Sequence, residues 1–311
     1  MFLPQVKLKN RTAFVWITMV VLGFVLNITP VYSQHHNFAC ADYTQGKVFI
    51  IENDSIVWQH AAPNSNDLWV LKNGNLLFTT GNGVLEMNRK NDTIFHYESK
   101  SEIYACQRLK NGNTFIGECN SGRLLEVSPS GKIVKELRIL PDSVKEGGHA
   151  FMRNARRLEN GNYLVAHYGL KVVREYNPQG KVVWEVKAPG GPHSVMRLPN
   201  GNTLVSDADA LKDPHVYEFN KAGKIVWEVS NADLKDKPFK FLGGMQRLKN
   251  GNTIVCNWLG HNQFGTAPHI LEITKDKKVV WTYANFKDMK TISTFMDLEQ
   301  SSDLNLSEAM H

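Results

Sequence analysis

A chain of 311 residues with a formal charge of +6, 42% hydrophobic and 21% charged residues is long enough for one closed domain with a large core. Its lysines and arginines are scattered and no stretch interleaves aromatic with basic side chains, so nucleic acid is not an expected partner. Four cysteines (Cys40, Cys106, Cys119 and Cys256) are too few to staple a fold of this size, and their spacing matches no zinc pattern.

Residues 1–33 read as a secretory signal peptide. Lys7, Lys9 and Arg11 precede an apolar run from Thr12 to Ile28, which ends in Val31-Tyr32-Ser33. The run is short for a membrane span and stops at Thr29-Pro30, ahead of the polar stretch Gln34-His35-His36-Asn37. Cleavage near Ser33 is expected to remove three cations and no acids and to leave no stable membrane span. The mature protein is then periplasmic or extracellular. Lipid attachment at Cys40 fits less well, because Asn37-Phe38-Ala39 is a poor context and Cys40 falls inside an expected strand.

Beyond the signal, Phe38–Asp42, Lys47–Ile51 and Ser55–His60 read as strands two, three and four of a unit whose first strand is missing. Similar units begin near Asp67, Glu102, Ala150, His193 and Gly243. Each of these five carries Asn-Gly-Asn, at positions 73–75, 111–113, 160–162, 200–202 and 250–252. The unit from His193 shows the pattern plainly, with short apolar runs at His193–Leu198, Thr203–Ser206, His215–Phe219 and Lys224–Val229. Asn-Gly supplies the positive φ angles of a tight hairpin, so each unit is predicted to be a four-stranded antiparallel meander.

At the far end, Thr291–Leu298 repeats the first-strand pattern but leads to no further unit. It is expected to pair into the N-terminal unit and close a ring, which removes exposed sheet edges. The expected fold is therefore all-β: a six-bladed β-propeller over residues 34–300, its N-terminal blade completed by the C-terminal strand, followed by a tail at 301–311.

Recurrent side chains support this frame. Trp58, Trp184, Trp227 and Trp281 share a position in the outermost strand, where a large ring can fill the wedge between blades. Glu86, Glu126, Glu175, Glu218 and Glu272 share a third-strand position, and Arg108, Arg157, Arg197 and Arg247 a first-strand position. Repeated structural polar contacts are expected of them rather than acid–base chemistry. Cys106 and Cys119 lie on expected hairpin partners, as a disulfide or as two buried thiols, whereas Cys40 and Cys256 hold equivalent positions in neighbouring repeats and are too far apart to pair.

Every long insertion, at Ile139–Gly148, Ser206–Pro214, Ser230–Leu242 and Asn257–Pro268, falls in a connection on one face. Insertions confined to one face of a repeat protein mark its binding side. The same connections collect His149, His167, His193, His215, His261 and His269, with Arg153, Tyr168, Asp207, Asp209 and Trp258. Of these, His149, Arg153 and His193 approach the inner strands and are placed at the mouth of the central channel. His167, Asp207 and His261 follow second strands and are placed farther out. Imidazoles and a guanidinium at the end of a funnel can bind an anion, hold a metal or pass protons.

The run Pro192-His193-Ser-Val-Met-Arg-Leu-Pro-Asn-Gly-Asn-Thr-Leu-Val205 resembles the blade motif of the bacterial arylsulfotransferase superfamily, with weaker versions at Arg157–Val165 and Arg247–Val255. Gly180–Glu185 resembles repeats of pyrroloquinoline-quinone-type propellers, which commonly have eight blades, so neither the quinone nor any other cofactor is expected here. The sulfotransferase resemblance implies sulfuryl transfer from an aryl sulfate through a histidine: His193 as nucleophile, His149 and Arg153 gripping the anion, His167 or His261 assisting proton transfer. The chain is shorter than the characterised enzymes of that family and lacks their extra N-terminal domain, and Gly191-Pro192 and Ser194 replace polar neighbours that often flank the histidine.

The reading with which the sequence agrees best is an exported propeller that binds a small molecule or glycan at its histidine-bearing face, with His167, Tyr168, Asp207, Trp258 and His261 as ligand contacts. Sulfuryl transfer by His193, His149 and Arg153 is the first alternative. Metal-assisted lyase or hydrolase chemistry is the second, and it requires at least three of the histidines to converge on one ion.

Overall fold

The computed structural model describes residues 35–208 and 213–301; the expected signal peptide, Asp209 and the tail beyond Ser301 lie outside them. Six four-stranded antiparallel sheets follow one another in chain order. From the axis outward, blade one runs from Leu68–Val70 to Thr93–Glu98, blade two from Ile103–Arg108 to Ile133–Arg138, and blade three from Asn154–Arg157 to Val182–Lys187. Blade four runs from Pro192–Arg197 to Ile225–Ser230, and blade five from Leu242–Arg247 to Val279–Tyr283. Blade six takes its inner strand, Ile292–Asp297, from the C-terminal side and its other three, Phe38–Asp42, Lys47–Glu52 and Ser55–Ala61, from the N-terminal side. The ring closes as the repeat pattern predicts. No helix among the described residues is long and apolar enough to cross a membrane.

Local chemistry accounts for the meanders. The central glycine of each Asn-Gly-Asn turn adopts φ between +80° and +91°, which L side chains resist. The first Asn then accepts the backbone N–H of the last at 2.9–3.0 Å, locking the turn. Inner and second strands are almost wholly buried, while outer strands expose β-branched residues such as Val183 and Val226.

The recurrent tryptophans and charged residues join blade to blade. Trp184 Nε1 donates to Lys221 O at 3.0 Å and Trp227 Nε1 to Lys275 O at 2.8 Å, each in the following blade. The third-strand glutamate accepts from the last Asn of its own turn, as Glu218 does from Asn202 at 2.7 Å, and from the inner-strand arginine of the next blade, Arg247, at 2.9 Å. Arg108–Glu86 and Arg197–Glu175 repeat the pair at 2.5 and 2.6 Å. Arg157 departs from the pattern: its guanidinium lies 4.8 Å over Tyr163 and donates to Leu158 O. Blade six departs more sharply, with Asp297 where blades two to five place an arginine and His36 bridging Asp297 and Glu272.

All four cysteines are buried and free. The strands of Cys106 and Cys119 pair as a hairpin, and of the two alternatives for these residues the buried thiols hold and the disulfide does not. Cys106 faces Ile116, and Cys119 lies beyond the strand, its thiol donating to Glu102 O.

The channel through the ring is plugged. The penultimate residue of each inner strand (Trp69, Gln107, Arg156, Met196, Gln246, Met296) is buried. Trp69 Nε1 donates to Cys106 O, Gln107 Oε1 accepts from Arg157 N, Gln246 Oε1 from Asp297 N, and Met296 Sδ from Val70 N. Arg156 reaches Asp67 in a bidentate pair at 2.7 and 2.8 Å, joining two blades that are not neighbours and so crossing the axis.

Candidate functional site

Above this floor lies a cavity of about 210 Å³ on the face that carries the long connections. Its lower ring has a simple origin in the repeat. The residue four before the end of each inner strand is Asn66, Tyr104, Arg153, His193, Gly243 and Ser293 in blades one to six, and all but Gly243 line the cavity. At Gly243 a Cβ would lie 2.7 Å from Ser293 O, so the backbones of blades five and six approach too closely for a side chain, and Phe241 fills that sector instead.

Bulges aim these side chains. Ile103 and Ala105 face consecutive residues of the second strand, leaving Tyr104 as the extra residue; Pro192 and Ser194 leave His193, and Ile292 and Thr294 leave Ser293. A bulged residue has no ladder partner and is turned out of the pleat, here toward the axis. The upper wall comes from the connections: Tyr43, His149 in the short helical turn Gly148–Phe151, Phe241, Trp258 and His261. Trp258 folds back on Gly260, where a Cβ would fall 2.0 Å from the indole ring.

Among the described residues the lining holds one arginine, three histidines and no carboxylate. Arg153 is fixed by aromatic faces, its guanidinium carbon 5.2 Å over the Tyr104 ring and 5.3 Å over Tyr168, with Nη1 3.3 Å from the Tyr104 hydroxyl. Its buried Nε has no hydrogen-bond partner. His193 is almost fully buried and packs edge-on against Phe241 at 5.6 Å. Burial first, and then the charges of Arg153 and His149, push its pKa well below the ordinary histidine value, so a neutral imidazole stands beside a guanidinium. Burial likewise raises the Tyr104 phenol, against the opposing pull of Arg153, and keeps it protonated.

Thus His149, Arg153, His193, Trp258 and His261 meet in one cavity, His261 nearer the axis than its place after a second strand suggested. Tyr168 does not line it but backs Arg153. His167 and Asp207 are placed elsewhere, buried at the ends of second strands. His167 donates from Nδ1 to Phe151 O and accepts at Nε2 from the Tyr176 hydroxyl, and burial lowers its pKa to about 4. Both nitrogens are thereby engaged in the scaffold. Asp207 accepts from Gly190 N in the turn leading into blade four. His215 and His269 are also absent from the lining, held by Asp213 O and Lys290 O.

No family model matches the sequence, and no curated protein does. Solved structures match well. A protein of unknown function from Bacteroides caccae is 26% identical with a TM-score of 0.75, over 84% of this chain and 98% of its own. Virginiamycin B lyase from Staphylococcus aureus is 16% identical with a TM-score of 0.54, over 81% and 85% of the two chains. The extracellular domain of a hybrid two-component system from B. thetaiotaomicron is 16% identical with a TM-score of 0.51, over 85% of this chain and 36% of that one. At these identities the last two likenesses are of the propeller fold alone. The sulfotransferase likeness rests on the repeat motif of the sequence.

Among the described residues no three His, Cys, Asp or Glu side chains form a group that could hold a metal ion. His149, His193 and His261 share the cavity without making such a group. Reading residue by residue overlooked Tyr43, Asn66, Tyr104, Phe241 and Ser293. The signal for three of them was present: at the fixed repeat position four before the end of the inner strand, the residue type changes from blade to blade.

Proposed function

We propose that this protein binds a small anionic ligand in the blind axial cavity, with Arg153, His193 and His149 gripping the charge and Trp258 and Phe241 packing against the body. One observation carries the reading: Arg153, held against two tyrosine rings with a buried unpartnered Nε, faces a cavity whose lining has no carboxylate among the described residues. Such a guanidinium is oriented before the ligand arrives, so little ordering is needed on binding. Calorimetric titration with sulfate and with p-nitrophenyl sulfate tests this. Saturable binding that Arg153→Gln weakens at least tenfold supports the proposal; binding that is absent, or unchanged in the variant, overturns it.

A second reading, sulfuryl transfer, is favoured by the neutral state of His193. Its free lone pair would form a bond to the sulfur of an aryl sulfate as the S–O bond to the aryl group breaks and the phenolate leaves with a proton from solvent or His261. An acceptor phenol would then lose its proton and take the sulfuryl group from the imidazole. Arg153 would hold the oxygens whose charge grows. Acceptor-dependent p-nitrophenol release that disappears in His193→Ala supports transfer; its absence in folded protein that binds p-nitrophenyl sulfate leaves a binding protein.

A further inference from the structure

The floor and the size of the cavity restrict what can enter it and in which direction. The channel below is filled by buried penultimate residues of the inner strands and crossed by the Arg156–Asp67 pair, so a ligand cannot thread the ring. A volume of about 210 Å³ is below the 300–1,000 Å³ typical of pockets that engulf a drug-sized molecule. The cavity is therefore a socket for one ring-sized group.

Its lining mixes polar groups with flat aromatic rings. The lower ring presents the guanidinium of Arg153 and the imidazole of His193 together with the neutral polar groups of Asn66 and Ser293. The upper wall presents the flat rings of Trp258 and Phe241 beside the imidazoles of His149 and His261 and the phenol of Tyr43. A pyranose has apolar C–H faces and hydroxyl edges, so it matches aromatic walls and neutral polar groups at once, and a carboxylate or sulfate on it would meet Arg153.

We infer that the cavity takes, end-on, the anionic sugar at the free terminus of a longer glycan, with the remaining residues of the glycan lying outside the mouth against the long connections. This rests on the anion-binding reading and narrows it to a ligand class and a direction of approach. An internal residue of a polymer has chain on both sides, and a closed socket admits chain on one side only.

The test compares galacturonic acid, its trimer, long polygalacturonate and plain acetate by calorimetry, on wild-type protein, Arg153→Gln and Trp258→Ala. The expected result is that monomer and trimer bind at least tenfold more tightly than acetate, that this advantage is lost in Trp258→Ala, and that polymer binds in proportion to its chain ends. A polymer of about a hundred residues should then bind about a hundredfold more weakly per sugar than the monomer. Polymer that binds as well per sugar as the monomer overturns the end-on inference. Acetate or sulfate binding that needs Arg153, without binding of either uronate, overturns the sugar class and leaves the anion reading standing. No binding of any of these anions removes both.

Discussion

His36 and Glu272 are hydrogen-bonded at 2.7 Å across 236 residues of chain, at the seam where the ring closes. The other ring nitrogen of His36 meets Asp297 at 2.6 Å. Asp297 stands where blades two to five place an arginine, so two carboxylates share this junction and a protonated imidazole joins them. Burial opposes that charge, but the hydrogen bonds to Asp297 and Glu272 outweigh it and raise the His36 pKa to about 9.

Closure should consequently weaken in alkali. A folded pKa raised above the unfolded value of about 6.5 gives stability that is complete below pH ~6.5 and is lost as pH rises through about 9. The amount is of order 3 kcal/mol at most. Urea unfolding at about pH 6 and pH 10 should show this loss in wild-type protein and a much smaller one in His36→Gln. Equal losses in both would remove His36 from the seam.

The floor of the cavity should prove costly to break on one side. Arg156→Met leaves the buried Asp67 carboxylate without its guanidinium, and about 3–5 kcal/mol of destabilisation is expected, with partial recovery in Arg156→Met/Asp67→Asn. Denaturant midpoints of the two variants measure both. A double variant no more stable than the single one would contradict this account.

Much of this architecture is local in origin and so could be read from the sequence. Asn-Gly-Asn fixes hairpins through its own backbone, and Thr291–Leu298 carries the first-strand pattern that closes the ring. The site is different, because its members are brought together by the circular order of blades. Tyr104 and Ser293 are turned to the axis by bulges that no local pattern announces. His167 and Asp207 share the loop-proximal position expected of ligand contacts, yet the last residue of a second strand faces packed neighbours. Hairpin pairing of the strands of Cys106 and Cys119 was legible, but the choice between disulfide and buried thiols depends on a register that hairpin pairing alone does not specify.

Anion binding should be linked to proton uptake. His193 is neutral in the free cavity because burial, Arg153 and His149 depress its pKa, and an anion beside it favours the imidazolium. Sulfate affinity should therefore rise as pH falls from about 8 to about 5. The slope should diminish in His193→Gln. A slope unchanged in His193→Gln would place the anion away from it.

Arginine at position 153 should not be replaceable by lysine. The planar guanidinium stacks between Tyr104 and Tyr168, and an ammonium keeps the charge but not the stacking or the forked donors. Arg153→Lys should lose at least tenfold in sulfate affinity, about 1.4 kcal/mol, measured by calorimetry with unfolding curves confirming the fold. Full affinity in the lysine variant would mean that charge alone matters.

The most direct test of the anion site is the crystal structure of the protein soaked in selenate, whose selenium marks its own position by anomalous scattering. The account predicts a peak in the axial cavity within hydrogen-bond reach of the Arg153 side chain and the His193 ring, absent from Arg153→Gln crystals. Selenate bound elsewhere while this cavity holds none would contradict it.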